Sequence, residues 1–340
     1  MSMRVSRLRC GHRHMESAMR LVPLVAVAII GLAATVASAD PRWQREFPKT
    51  DFETTTVPID EIVNVIPRDN IPAIDDPAMI PVGEKDGIGG REPVITVKID
   101  GALPRAYPVR YLTWHEIAND EAGGVPFAVT FCPLCNSGPV FDRRLDGEVL
   151  SFGVSGKLRH SDMVMYDRET ESWWQQAIGT GIVGVHAGAK LTQLPAWMES
   201  WDEFRTRNPE GLVMAEPDWP RSYGQNPYVG YDSGRPWNRF YSGEMPPHGI
   251  NPMMRVVRVG EQAWPFDRLQ AEGAVSENGV TITWTAGQAS ALDGAVIARS
   301  KDVGTVRVRD ASGKDLPHDV MFAFAYHAFF PEGEWMLGSS

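Results

Sequence analysis

Short apolar, β-prone runs bounded by turn residues recur along this chain, some of them alternating with period two, and long helical stripes are rare. In Val94-Ile95-Thr96-Val97-Lys98-Ile99, the residues Ile95, Val97 and Ile99 share one apolar face, the signature of a strand. The same reading predicts strands at Tyr107–Tyr111, Phe127–Phe131, Val140–Arg143, Val149–Val154, Met163–Tyr166 and Gly181–Val185. Asp146-Gly147, between two of these, marks a tight hairpin. Later strands are predicted at Met254–Val259, Val280–Thr285, Val296–Arg299, Val303–Val308 and Val320–Ala328. Helical signals are few. Thr113-Trp114-His115-Glu116 and Ser200-Trp201-Asp202-Glu203 both have the form of a capping box, in which a hydroxyl and a glutamate satisfy free N–H groups reciprocally. The first predicts a short helix to about Asn119, the second a helix that stops at Asn208-Pro209. The fold class is therefore α+β, β-dominated, with mostly antiparallel strands, a few short helices and long ordered loops.

The front of the chain follows a different pattern. Arg4, Arg7, Arg9, Arg13 and Arg20 precede an apolar run from Leu21 to Val36, and Ala37-Ser38-Ala39 closes it. A basic region, an apolar core and a small-x-small site together make a secretory signal, with cleavage expected near Ala39. The competing expectation is an uncleaved anchor, although the apolar run is shorter than the ~17–25 residues of a usual span. Residues 40–70 read as an irregular, proline-rich lead-in, and 71–335 as one β-rich domain. The Pro, Gly, Tyr and Trp of 216–252 mark long loops and a candidate break between two packed subdomains. No later stretch is apolar enough to span a bilayer. The expected location is periplasmic or extracellular.

Charge narrows the partners. Without residues 1–39 the chain keeps 28 basic and 42 acidic residues, a net charge of −14. Such a surface repels phosphate backbones, so no nucleic-acid partner is expected. A small molecule or a metal ion remains.

The candidate chemistry centres on Phe131-Cys132-Pro133-Leu134-Cys135-Asn136-Ser137. Loss of the leader removes Cys10, leaving Cys132 and Cys135 as the only thiols. A thioredoxin-type pair needs a helix after the first cysteine, and Asn136-Ser137-Gly138-Pro139 makes a poor one. A c-type haem site needs a histidine where Asn136 stands. What remains is a mixed-ligand metal site, a short disulfide, or free thiols with a redox role. His115 is the first partner considered, with His160, Met163 and Met165 as weaker ones. Thiolate, imidazole and thioether together favour copper, or zinc if methionine is left out. Glu116, Asp120, Asp162 and Asp167 are candidate acid–base carboxylates, and the last two, beside Trp173 and Trp174, suit a sugar cleft or a carboxylate-dependent hydrolase. A metal-free small-molecule or glycan binder stapled by a Cys132–Cys135 disulfide is the main alternative. Each methionine and histidine taken alone also has a plain packing role.

Several runs in one order resemble the bacterial and archaeal family catalogued as domain of unknown function 3179. They are Arg105-Ala106-Tyr107-Pro108, Trp114 through Asp120, Val129 through Cys135, Val140-Phe141-Asp142-Arg143, Phe152 through Gly156 and Ser161 through Ser172. Trp174, Gln175, Trp201 through Pro209, and Phe322 through Pro331 continue the match, which spans about residues 70–335. The resemblance implies no activity, because none is assigned to the family. It does imply that His115, Glu116, Asp120, Cys132, Cys135, Ser155, Ser161, Asp162, Asp167 and Trp174 occupy motif positions. His160 departs from the pattern, and Asn136 stands where relatives often carry glycine.

Overall fold

Five sheets of three to five strands account for most of the regular structure in the computed structural model, which describes residues 40–338. Strand makes up 36% and helix 15%, and the sheets are disposed like the blades of a five-bladed propeller. The β-dominated reading holds. The leader and its cleavage site lie outside the described residues. Among the described residues, no helix is long and apolar enough to cross a membrane.

Two sheets carry the site. One runs in the order Ile62–Asn64, Phe152–Arg159, Asp162–Asp167, Trp173–Gln175 and Thr180–Val183. The other runs Gln193–Leu194, Val140–Asp142, Val125–Thr130, Ile117–Ala122 and Ile74–Asp75. Neighbours pair antiparallel except Ile74–Asp75 with Ile117–Ala122, which pair parallel. Both faces of the central strands are covered. Phe127, Val129, Phe152, Met165 and Trp174 are all buried in one continuous apolar core. Burial on both faces explains why strict alternation is weak in these strands.

Several predicted elements are present with shifted bounds. Val280–Thr285 is a strand, Asp146-Gly147 turns a small hairpin, and Ser200 caps the helix Trp201–Arg207 in a full capping box. Three predictions are corrected. The first helix is Val109–His115, so Thr113 lies inside it and Glu116 ends it. The Thr113 hydroxyl donates back to the Arg110 carbonyl instead of capping. Residues Ile117–Ala122 are then a strand, turned onto Val125–Thr130 by Gly123 and Gly124, both at positive φ. That Gly-Gly pair was the missed hairpin signal. The third correction lies near the C-terminus. Ile297–Arg299 is a 3₁₀ turn, and Val320–Ala328 divides into the strand Asp319–Phe322 and the helix Ala323–Phe329.

The segment 40–70 is built into the sheet rather than hanging from it. Ile62–Asn64 forms its edge strand, and Trp43 and Phe47 pack edge-on against Trp173. The lead-in turns over at Gly156, whose carbonyl accepts from Val65 and Ile66. Gly156 has φ +75°, and a Cβ there would stand 2.1 Å from the Ile66 carbonyl oxygen. Both the backbone region and the space demand glycine. Gly156→Ala is expected to lower stability by at least about 2 kcal/mol, read as a lower urea midpoint at unchanged slope.

Candidate metal centre

The cysteine loop is a closed turn held from three sides. Cys132 and Ser137 bridge through two backbone hydrogen bonds, Cys132 N–H to Ser137 O at 2.8 Å and the reverse at 3.3 Å. Asn136 takes φ +53°, in the left-handed region that favours glycine or asparagine. From the C-terminal strand, Asp319 accepts from the Ser137 hydroxyl at 2.5 Å and from Gly138 N–H at 2.9 Å. Phe322 N–H donates to the Cys135 carbonyl at 2.8 Å. The Tyr231 hydroxyl donates to the Leu134 carbonyl at 3.0 Å. A turn fixed this firmly presents both side chains inward. Cys132 and Cys135 are free thiols, both buried and 4.2 Å apart.

Asp162 completes a group of three. One ligand atom from each of Cys132, Cys135 and Asp162 lies within 4.8 Å of the others, and all three residues are buried. Asp162 is the first residue after a two-residue hairpin turn, His160-Ser161, that pairs Arg159 with Asp162. His160 and Ser161 have φ +51° and +65°, a turn that ordinarily calls for Asn-Gly. The strain is offset in part by Ser161 N–H donating to the Phe240 carbonyl at 2.9 Å. Gln175 and Ala177 N–H both donate to Asp162 Oδ2, at 2.6 and 2.9 Å. Asp162 Oδ1 is buried without a partner among the described residues. An orphaned carboxylate oxygen beside two thiols is the donor arrangement of a metal site.

Electrostatics point the same way. Burial, then the charge of Asp162, pushes the Glu116 carboxyl up to about 8. Burial also pushes Asp162 up to about 7, against the lowering by the Ala177 and Gln175 N–H donors and by the Cys132 thiol. Both thiols are raised, again by burial first; Asp162 adds to each, and Cys132 raises Cys135 while Cys135 lowers Cys132. Four acidic groups thus share a dry interior. Lys157 is committed to Glu46 at 2.6 Å, and Arg255 to Asp232 at 3.1 Å. A bound cation would supply the missing charge and turn the thiols into thiolates.

The other candidate residues are accounted for differently. His115 does not join the cysteines: its Nδ1 meets the Pro72 carbonyl at 2.8 Å and its Nε2 the Tyr223 hydroxyl at 2.6 Å. His160 turns toward Glu61 at 3.3 Å. Met163 and Met165 are packed in the apolar core. Asp120 accepts from Arg105 at 2.6 Å, Tyr107 at 2.5 Å and Glu121 N–H at 2.7 Å, which commits both of its oxygens. Asp167 accepts from Thr170 and from the Trp174 indole at 2.9 Å, so it closes a turn. Trp173 and Trp174 are wholly buried and offer no sugar a platform. Glu116 is different. It ends the helix at φ +60°, ψ −30°, a sparsely populated region that costs about 1–3 kcal/mol. Its side chain lines a cavity beside the thiols.

The family's profile, described as a protein of unknown function (DUF3179), matches residues 68–333. The chain belongs to the DUF3179 family. No curated protein and no solved structure matches it. In this DUF3179 protein the motif residues fall into two sets: Cys132, Cys135, Asp162 and Glu116 converge, while Asp120, Asp167 and Trp174 brace the sheets around them. The partnership of Asp162 with the cysteines had one sequence signal, its place among the motif residues. Which member of that list met the thiols was not readable from spacing.

A pH dependence follows from the buried carboxyls. Folded Glu116 and Asp162 keep their protons at pH values where the unfolded chain has lost them. The folded state binds more protons there, so stability is greatest below the ordinary carboxylate range and falls as pH rises through about 7 and about 8. Urea unfolding of metal-free protein is expected to show a lower midpoint at about pH 8.5 than at about pH 5.5, with a shallower slope in Glu116→Gln. A flat profile would show that these carboxyls ionise freely.

Proposed function

We propose that this protein binds a transition metal through Cys132, Cys135 and Asp162, and that the metal is zinc. The observation that carries the reading is the partnerless Asp162 oxygen set beside two buried thiols. The donor set chooses the metal. Copper(I) was favoured while histidine and methionine stood among the ligands, but neither converges on the thiols. Two sulfurs and a carboxylate oxygen form a harder set that suits zinc, which accepts S at about 2.3 Å and carboxylate O at about 2.0–2.2 Å. Three protein ligands leave a fourth position for water or a substrate, the pattern of a reactive rather than purely structural site. Thiol redox chemistry is the weaker reading, because burial raises both thiols and no helix N-terminus lowers either. A working secretory leader would put this chemistry outside the cytoplasm, where a second role for the pair, a disulfide staple, would compete.

The test uses the chain from Asp40 onward, purified reduced and without metal. One zinc per chain is expected, and cobalt substitution should give an intense thiolate charge-transfer band. Cys132→Ser, Cys135→Ser and Asp162→Asn should each weaken zinc by at least about 100-fold, while His115→Ala and Asp167→Asn should not. Zinc binding that survives Asp162→Asn, or a native mass two hydrogens short with no metal uptake, would overturn the reading.

A further inference from the structure

A cavity of about 230 Å³ lies beside the thiols, enough for roughly eight waters at bulk density. Its walls are apolar: Ile71, Leu134, Val154, Leu158 and Met163. Trp237 and Phe240 frame its mouth, where the exposed Arg239 lies over both rings. Two polar groups reach the interior, the Glu116 carboxyl and Tyr228. Glu116 is 8% exposed, and burial and the charge of Asp162 alone act on its carboxyl, with no hydrogen bond. The Tyr228 hydroxyl likewise has no hydrogen-bond partner among the described residues, and it stands in the field of Glu116 and Cys132. Lys157 also lines the wall, but its ammonium is spent on Glu46. A carboxyl held nine-tenths buried in a strained backbone, aimed into an apolar cavity and bonded to nothing, is unfavourable unless a ligand meets it.

We infer that this cavity binds a small primary amine on an apolar or aromatic body. The ammonium meets the Glu116 carboxylate and donates to the Tyr228 hydroxyl oxygen, and the body lies against Leu158, Val154 and Leu134. The choice of amine over alcohol rests on charge: Glu116 is the acid lining the cavity, and of the two cations that line it Lys157 is paired with Glu46 and Arg239 is at the mouth in solvent. An ammonium there forms a desolvated, hydrogen-bonded ion pair, whereas an alcohol leaves the Glu116 carboxylate uncompensated. The inference does not rest on the metal reading, since neither Glu116 nor Tyr228 belongs to the three-ligand group.

Calorimetric titration with 2-phenylethylamine and with 2-phenylethanol, which differ only in the head group, tests it. The amine should bind at least about tenfold more tightly than the alcohol, a preference that Glu116→Gln abolishes and Tyr228→Phe reduces. Trp237→Phe should remove the accompanying fluorescence change while calorimetric binding persists, which places the ligand at this mouth. Cys132→Ser, measured without metal, should retain amine binding; its loss there would show that the amine is held at the thiols rather than at Glu116 and overturn the inference. So would equal binding of amine and alcohol, or an amine affinity unchanged in Glu116→Gln in a variant whose circular dichroism matches the parent. Loss of zinc binding with amine binding intact would sink only the metal reading.

Discussion

The site depends on one clamp. Asp319, on a strand nearly two hundred residues beyond the cysteines, accepts from both Ser137 and Gly138 and so closes the turn that carries the thiols. The carboxylate is itself wholly buried, and burial raises its pKa against the three N–H and O–H donors that hold it. Around this clamp, the Cys135 and Leu134 carbonyls are taken by Phe322 and Tyr231. The carbonyls of Cys132, Pro133, Leu134, Cys135 and Ser137 thus all have donors, and the side chains are left as the free chemistry of the loop.

From that fixed turn the acidic interior follows. The hairpin His160-Ser161 delivers Asp162 and the helix end delivers Glu116, each at a backbone position that a non-glycine residue occupies at a cost. Two strained deliveries from separate sheets to one point are hard to reconcile with packing alone, since apolar residues in relaxed backbone would fill the same space more stably. The arrangement is what a cation site and an adjoining ligand cavity both require: donors preorganised, desolvated and uncompensated until a partner arrives.

The surrounding motif residues serve this placement without sharing its chemistry. Asp120 ties Arg105 and Tyr107 to the strand behind Glu116, and Asp167 ties Trp174 to the strand behind Asp162. Each is saturated with hydrogen bonds, which separates a bracing carboxylate from a reactive one more sharply than its position along the chain does. His115 is fixed likewise between Pro72 and Tyr223, and its place next to Glu116 in sequence concealed that the two side chains serve different neighbourhoods.

Periodicity and turn chemistry determined the β-dominated class, the Asp146-Gly147 hairpin and the Ser200 cap, because these depend on residues a few positions apart. The pairing of Cys132 with Cys135 was legible for the same local reason. The mistaken helix after Thr113 shows where local signals fail: a capping-box pattern was outweighed by burial of Val109, Leu112 and Thr113 one turn earlier and by the Gly123-Gly124 hairpin just beyond. Only the tertiary structure decided that Asp162, and not His115 or the methionines, meets the thiols. That choice turns on which side chain a strand or turn points inward at thirty residues' remove, and one step in register reverses it.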